Sequence, residues 1–187
     1  MLNIANIYLR NLFKSFLSLE TLDYNNQIHN DIKPQNFLVK FMNGETDLTK
    51  IEIVLTDFGM AGPDSKGGTP IFACPECFER KEIRSDIFSF GRVIMFMLLS
   101  KERFVKWLFV PIRNSNIPHP TDIFILVKVM TSMDIRMEIT HSRSVFESFR
   151  NMASILPTQD FLDTFDSIIN ENINDLGGYI SELTDFR

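Results

Sequence analysis

The sequence predicts an α+β fold, mainly helical, with one small β-hairpin set against a helical body. Three observations predict it. Helical spacing occupies the first twenty or so residues and returns after residue 86, while the only strand-like runs lie between. Those runs, 37–41 and 51–55, are short, β-branched or aromatic, and separated by Asn43-Gly44, a hairpin signal. Hydrophobic residues make up 44% of the 187, with 18 Phe, which supplies a core and excludes a disordered chain.

In chain order, Ile4, Ile7, Tyr8, Leu12, Phe16 and Leu19 recur at helical spacing over residues 3–22. A polar loop, 29–36, runs into the first strand, and Pro34 keeps it out of a helix. Residues 42–50 form a longer turn, read as a surface insertion. Residues 86–99 are apolar nearly all round despite Ser89, Gly91 and Arg92, so this helix is expected to be buried. Phe104, Trp107 and Phe109 read as core, and the nine Met as core filler. Pro111, Pro118 and Pro120 mark a loop-rich connection, after which helices are expected over 121–132 and 142–155. The last stretch, 157–187, carries seven acids against Arg187 alone. Its Phe161, Leu162, Phe165, Ile168, Ile169 and Ile173 predict a helix with one packed and one solvated acidic face, ended by Gly177-Gly178.

Charge and cysteine usage narrow the function classes. A net charge of −5 argues against a nucleic-acid or anionic-membrane binder. The segment 87–99 is too short to cross a bilayer and no signal peptide is visible, so an intracellular, cytoplasmic protein is expected. Cys74 and Cys77 have C-x-x-C spacing, but there is no second cysteine pair and His119 and His141 are remote, which disfavours a zinc or redox site.

Chemistry concentrates elsewhere. His29, Asp31, Lys33 and Asn36 fall within eight residues of loop, and the second strand ends in Thr56-Asp57-Phe58-Gly59. If the strands pair, Asp57 returns to the end where Asp31 and Asn36 sit. Each residue alone is an ordinary turn former. Together they bring two carboxylates, an amide and an ammonium into one pocket. That set suits Mg²⁺ and a phosphate, with an Asp left to accept a hydroxyl proton.

In these residues the chain resembles the larger C-terminal lobe of the eukaryotic protein kinase family. His29-Asn30-Asp31-Ile32-Lys33-Pro34-Gln35-Asn36 is similar to the catalytic loop H-R-D-x-K-P-x-N, and Asp57-Phe58-Gly59 to the metal-binding D-F-G. The stretch from Gly68 to Glu76 resembles G-T-P-x-Y-x-A-P-E, and Asp86 with Gly91 fits the start of the central helix. The Gly68–Glu76 motif and Lys33 favour protein kinases over small-molecule phosphotransferases. The resemblance spans residues 1–156 and leaves 157–187 as an acidic tail outside it. It implies that Asp31 receives the substrate hydroxyl proton, Lys33 stabilises the transferring phosphate, and Asn36 and Asp57 hold Mg²⁺ between the phosphates of ATP. It further implies that Thr69 bridges Asp31 and Lys33, as in Ser/Thr-directed members. Asp86 would accept bonds from catalytic-loop amides, and His29 and Phe58 would stack beneath the loop beside Gly59.

Departures from the pattern carry their own expectations. Only 28 residues precede His29, so the resemblance implies that the N-terminal lobe is absent. None of the eight Gly forms G-x-G-x-x-G, and no strand lysine is identifiable. The expectation is therefore a Ser/Thr-kinase-like lobe that is inactive by itself, with a marginally soluble apolar face where the missing lobe would sit. The alternative is a pseudokinase-like module that binds protein partners. Asn30 replaces the arginine that normally pairs with a phosphorylated activation loop, which implies that no such switch is needed. Glu76 would need a buried partner, for which Arg136 is the candidate.

Overall fold

The computed structural model describes residues 4–16, 18–25, 27–41, 50–62, 68–74 and 83–99, together with 103, 104, 108, 163, 166 and 167. Helix α1 (Ile4–Phe16) and helix α2 (Ser18–Tyr24) precede the loop. Ile7, Leu12 and Ser15 of α1 and Leu19 of α2 are buried, while Lys14 of α1 is exposed. Ser15 tolerates burial because its hydroxyl donates to the carbonyl of Leu12 at 2.6 Å.

The chain leaves α2 and passes through 27–33 into a single 3₁₀ turn, Pro34–Asn36. Strand β1 (Phe37–Phe41) then pairs antiparallel with β2 (Ile51–Leu55), Phe37 opposite Leu55 and Phe41 opposite Ile51. Ile51, Ile53 and Leu55 are buried while Glu52 and Val54 are exposed, an alternation that turns one face of β2 toward α1. On the other face Leu38 and Val54 are cross-strand partners and both are exposed.

Helix α3 (Ile83–Leu98) begins three residues before the expected start. Ile87, Phe90, Val93, Ile94 and Met95 are completely or almost completely buried. Its polar interruptions are accommodated locally: Ser89 donates to the carbonyl of Ser85 at 3.0 Å. Phe90 meets Phe37 edge-on, fixing the hairpin to α3, and Phe72, Phe96 and Phe104 form a second aromatic group on that helix. Phe104 is thus in the core as its sequence context predicts.

Trp107, Phe109, residues 42–49, the expected helices 121–132 and 142–155, and Gly177-Gly178 lie outside the described residues. Asp163, Asp166 and Ser167 are helical, and Arg103 makes a forked pair with Asp166 at 2.5–3.0 Å. Among the described residues, no helix is long and apolar enough to cross a membrane.

Candidate active site

The hairpin register sets the site. With Phe37 opposite Leu55, the residues flanking the ladder, Asn36 and Thr56, are brought side by side. Thr56 donates to the carbonyl of Asn36 through its backbone N–H at 2.8 Å and its hydroxyl at 3.0 Å. Asp57 follows directly, in the left-handed region with φ 63, and it opens the 3₁₀ turn Phe58–Met60. Among the described residues its carboxylate accepts from the N–H of Gly59 alone, at 3.4 Å, and it is otherwise exposed. A Cβ on Gly59 would stand 3.2 Å from that same oxygen, so a bare glycine leaves the carboxylate room.

Asp31 is the opposite case, a buried carboxylate with donors on both oxygens. One oxygen accepts from the N–H of Thr69 at 3.1 Å and its hydroxyl at 2.9 Å. The other accepts from the Lys33 ammonium at 2.6 Å and the Asn36 amide at 3.3 Å. Burial pushes the Asp31 pKa up, but the bonds from Lys33, Thr69 and Asn36 and the lysine charge outweigh it, holding the group below the ordinary carboxylate value. The side chain therefore stays ionised at neutral pH. Thr69 meets Lys33 only through this carboxylate, which is the stronger acceptor for the single hydroxyl proton.

Asn36 donates at 2.7 Å to the Asp31 carbonyl as well as to its carboxylate. Those bonds fix the amide orientation and turn the Asn36 side-chain oxygen away from Asp31. Beneath the loop, His29 is fully buried and its ring centroid lies 4.9 Å from that of Phe58. Its Nε2 lies 3.0 Å from the Thr56 carbonyl, and Nδ1 accepts the N–H of Asp31 at 3.3 Å. That pairing selects the neutral imidazole protonated on Nε2. Burial lowers the His29 pKa, and only partial opposition comes from the Thr56 carbonyl and the charges of Asp31 and Asp57. Both carboxylates act on one imidazole, so the two loops converge on it.

Asp86, at the first turn of α3, accepts the N–H of His29 at 2.7 Å and of Asn30 at 3.0 Å. The loop is thereby tied to α3, the most buried helix among the described residues. Glu76, Arg136, Cys77, His119 and His141 lie outside the described residues. Cys74 is buried, and among the described residues no three His, Cys, Asp or Glu side chains gather as a metal cluster.

One supporting residue escapes the motif reading. Arg92 on α3 donates to the carbonyls of Ile71 at 2.8 Å and Ala73 at 3.3 Å, with its guanidinium 4.5 Å over the Phe88 ring. It holds the turn that follows Thr69. Its signal in the sequence is the one cation within the largely apolar run 87–99.

Against known proteins, the family model described as "Protein kinase domain" matches residues 3–172. A curated relative, "Calcium-dependent protein kinase 6" of Plasmodium berghei (strain Anka), is 32% identical over 107 residues. That alignment covers 52% of this chain and 7% of the relative, so the chain spans a small fraction of that protein's length.

Proposed function

The chain belongs to the protein kinase domain family, and from that premise we propose that it carries the machinery for moving the γ-phosphate of ATP to a serine or threonine hydroxyl of a protein substrate. Its fold is the family's: mostly helix, with a small two-stranded antiparallel sheet. The observation that carries the proposal is the ionised, four-donor carboxylate of Asp31, seated between Lys33, Asn36 and Thr69.

In this reading Asp31 accepts the substrate hydroxyl proton. Of its donors the Lys33 ammonium is among the more exposed, with 24% of its side chain open. Swinging Lys33 toward a phosphoryl oxygen would leave one carboxylate oxygen with only the long Asn36 bond at 3.3 Å, and so open to that proton. Asn36 and Asp57 suit Mg²⁺: the amide nitrogen is committed to Asp31, leaving its oxygen, and the Asp57 carboxylate is open. One carboxylate and one amide oxygen make the sparse hard-donor set that Mg²⁺ takes when water and phosphate complete its shell. When bound, the ion would neutralise charge on the phosphate oxygens. Thr69 on Asp31, with Lys33 two residues on, supports the Ser/Thr direction.

Residues 1–156 form the kinase-like lobe of this proposal and 157–187 the acidic helical tail. A polypeptide of these 187 residues holds no G-x-G-x-x-G and no identifiable strand lysine to cover the phosphates. Positioning supplies most of the catalysis in phosphoryl transfer. Alone it is therefore expected to bind Mg·ATP weakly and to turn over at least ~100-fold below the ~1–100 s⁻¹ of ordinary kinases. This reading calls for a further lobe, in the same polypeptide or another, to complete the nucleotide site.

The test pairs a calorimetric Mg·ATP titration with radiolabelled phosphate transfer to basic Ser/Thr and Tyr peptides. The expected result is weak, metal-dependent nucleotide binding that Asp57→Ala removes. Any trace transfer should favour Ser/Thr and fall by roughly 100-fold or more in Asp31→Asn. Nucleotide binding that ignores both Mg²⁺ and Asp57→Ala would overturn the catalytic reading in favour of a protein-interaction module.

A further inference from the structure

We propose that Asn30 is a positioning residue that clamps the Asp57–Gly62 loop, and both approaches to the segment beyond it, through a neutral amide that needs no phosphate to complete it. The inference rests on the proposed role of Asp57 only for its consequence, since the clamp itself is a matter of geometry.

Asn30 sits in the left-handed region with φ 69, a conformation that asparagine tolerates better than most side chains. The turn aims its amide nitrogen at three carbonyl oxygens: Gly62 at 2.7 Å, Met60 at 2.8 Å and Ile28 at 3.3 Å. The two short bonds use the two amide protons and land on the residues just past Asp57-Phe58-Gly59. Beside them the N–H of Gly62 returns to the Ile28 carbonyl at 2.8 Å, and the N–H of Ala61 closes the turn on Phe58 at 2.9 Å. The loop that presents Asp57 is thus shut at its base by Asn30 and Ile28.

The other side of Asn30 meets the far end of the same segment. A Cβ placed on Gly68 would lie 2.9 Å from the Asn30 carbonyl oxygen, so that glycine has φ +130 and packs backbone to backbone. Thr69 then binds Asp31. Gly62 and Gly68, which bracket residues 63–67, therefore both rest on residue 30.

The amide orientation is forced. Rotating it would set its oxygen against three carbonyl oxygens, whereas the present arrangement leaves that oxygen buried and without a partner among the described residues. A buried acceptor without a partner is tolerated only where the opposing bonds are worth more. An arginine here would bring a full charge that calls for an anion. The amide is satisfied by backbone carbonyls already in place.

Asn30→Asp tests this, because it keeps the size and the left-handed tolerance but turns an acceptor toward the three carbonyls. Asn30→Gly keeps the backbone and removes the amide. Hydrogen–deuterium exchange of the full chain, without nucleotide, should show backbone amides at 58–62 exchanging about tenfold faster or more in both variants. Protection across α3 and the urea midpoint should change little in Asn30→Gly. A residue that merely supports the fold would lower protection at 58–62 and in α3 together, and that result would overturn the proposal, as would unchanged exchange at 58–62. Should Asn30→Asp unfold, Asn30→Gly decides alone. The measurement requires no catalysis, so an inactive chain leaves it standing, and a catalytically competent one does not rescue it.

Discussion

At one end of the β1–β2 hairpin Phe37 rests edge-on against Phe90, and Thr56 binds the Asn36 carbonyl through both its N–H and its hydroxyl. At the other end Lys40 approaches Glu52 to only 3.9 Å, with 67% and 53% of the two side chains exposed, and Phe41 is itself exposed. The backbone ladder is the same along the whole length. What differs is the backing. The first end leans on α3 and on a polar loop that α3 anchors, and there an ion pair closes to 2.6 Å with the carboxylate nearly buried. Pairing strands fixes which residues become neighbours, while the packing behind them fixes how firmly they are held.

The sharpest way to break this contrast is to remove the link between loop and helix. Asp86 is 1% exposed and accepts the backbone N–H groups of His29 and Asn30 in the polar loop. Asp86→Ala strands both donors in a dry site, at an expected loss of about 2–4 kcal/mol in urea unfolding, since each unmet buried donor costs roughly 1–3 kcal/mol. Asp86→Asn, which retains one acceptor oxygen, should lose about half as much. A change under about 0.5 kcal/mol in Asp86→Ala would mean that the loop holds itself without α3.

A smaller effect separates the two ends by pH. The folded state keeps His29 neutral, its pKa below the ordinary 6.5 chiefly through burial. The unfolded chain therefore binds more protons just below pH 6.5, and stability falls as pH drops from there through the folded value. Asp31, also depressed from its ordinary 3.8, adds a second loss that begins only below that value. Urea midpoints from pH 7 to pH 3 should show both steps. His29→Gln should flatten the first and leave the second, whereas an unchanged slope between pH 6.5 and 5 would show that His29 titrates without cost.

The sequence made much of this legible, and its failures follow a pattern. Strands 37–41 and 51–55 were readable because short β-branched or aromatic runs and an Asn-Gly turn are local signals, and Ile51, Ile53 and Leu55 prove to be buried in alternation. Asp31, Lys33, Asn36 and Asp57 were readable because four motifs stand in a fixed order. Arg92 and the side chain of Asn30 were not. Their acceptors are backbone carbonyls 19 to 32 residues away, apart from the weak bond to Ile28, and a carbonyl carries no residue identity for a motif to record. The start of α3 was placed three residues late, at Asp86, whereas the helix begins at Ile83 and Asp86 lies in its first turn with its carboxylate bound to the loop.

The weakest perturbation belongs to the far end. Lys40→Ala removes a pair at the edge of the ion-pair range whose partners are both mostly in water, where screening and side-chain entropy consume the Coulombic gain. The expected change in unfolding free energy is under about 0.5 kcal/mol and shrinks further between low and physiological salt. Lys33→Ala is the matched substitution at the other end, where the departing ammonium leaves a mostly buried carboxylate with three neutral donors. It should cost more than Lys40→Ala, and its cost should grow as pH rises past the Asp31 pKa, because only the ionised carboxylate misses the charge. Equal effects from the two lysines would show that burial behind the hairpin does not distinguish its ends, and that the short distance at Asp31 reflects proximity alone.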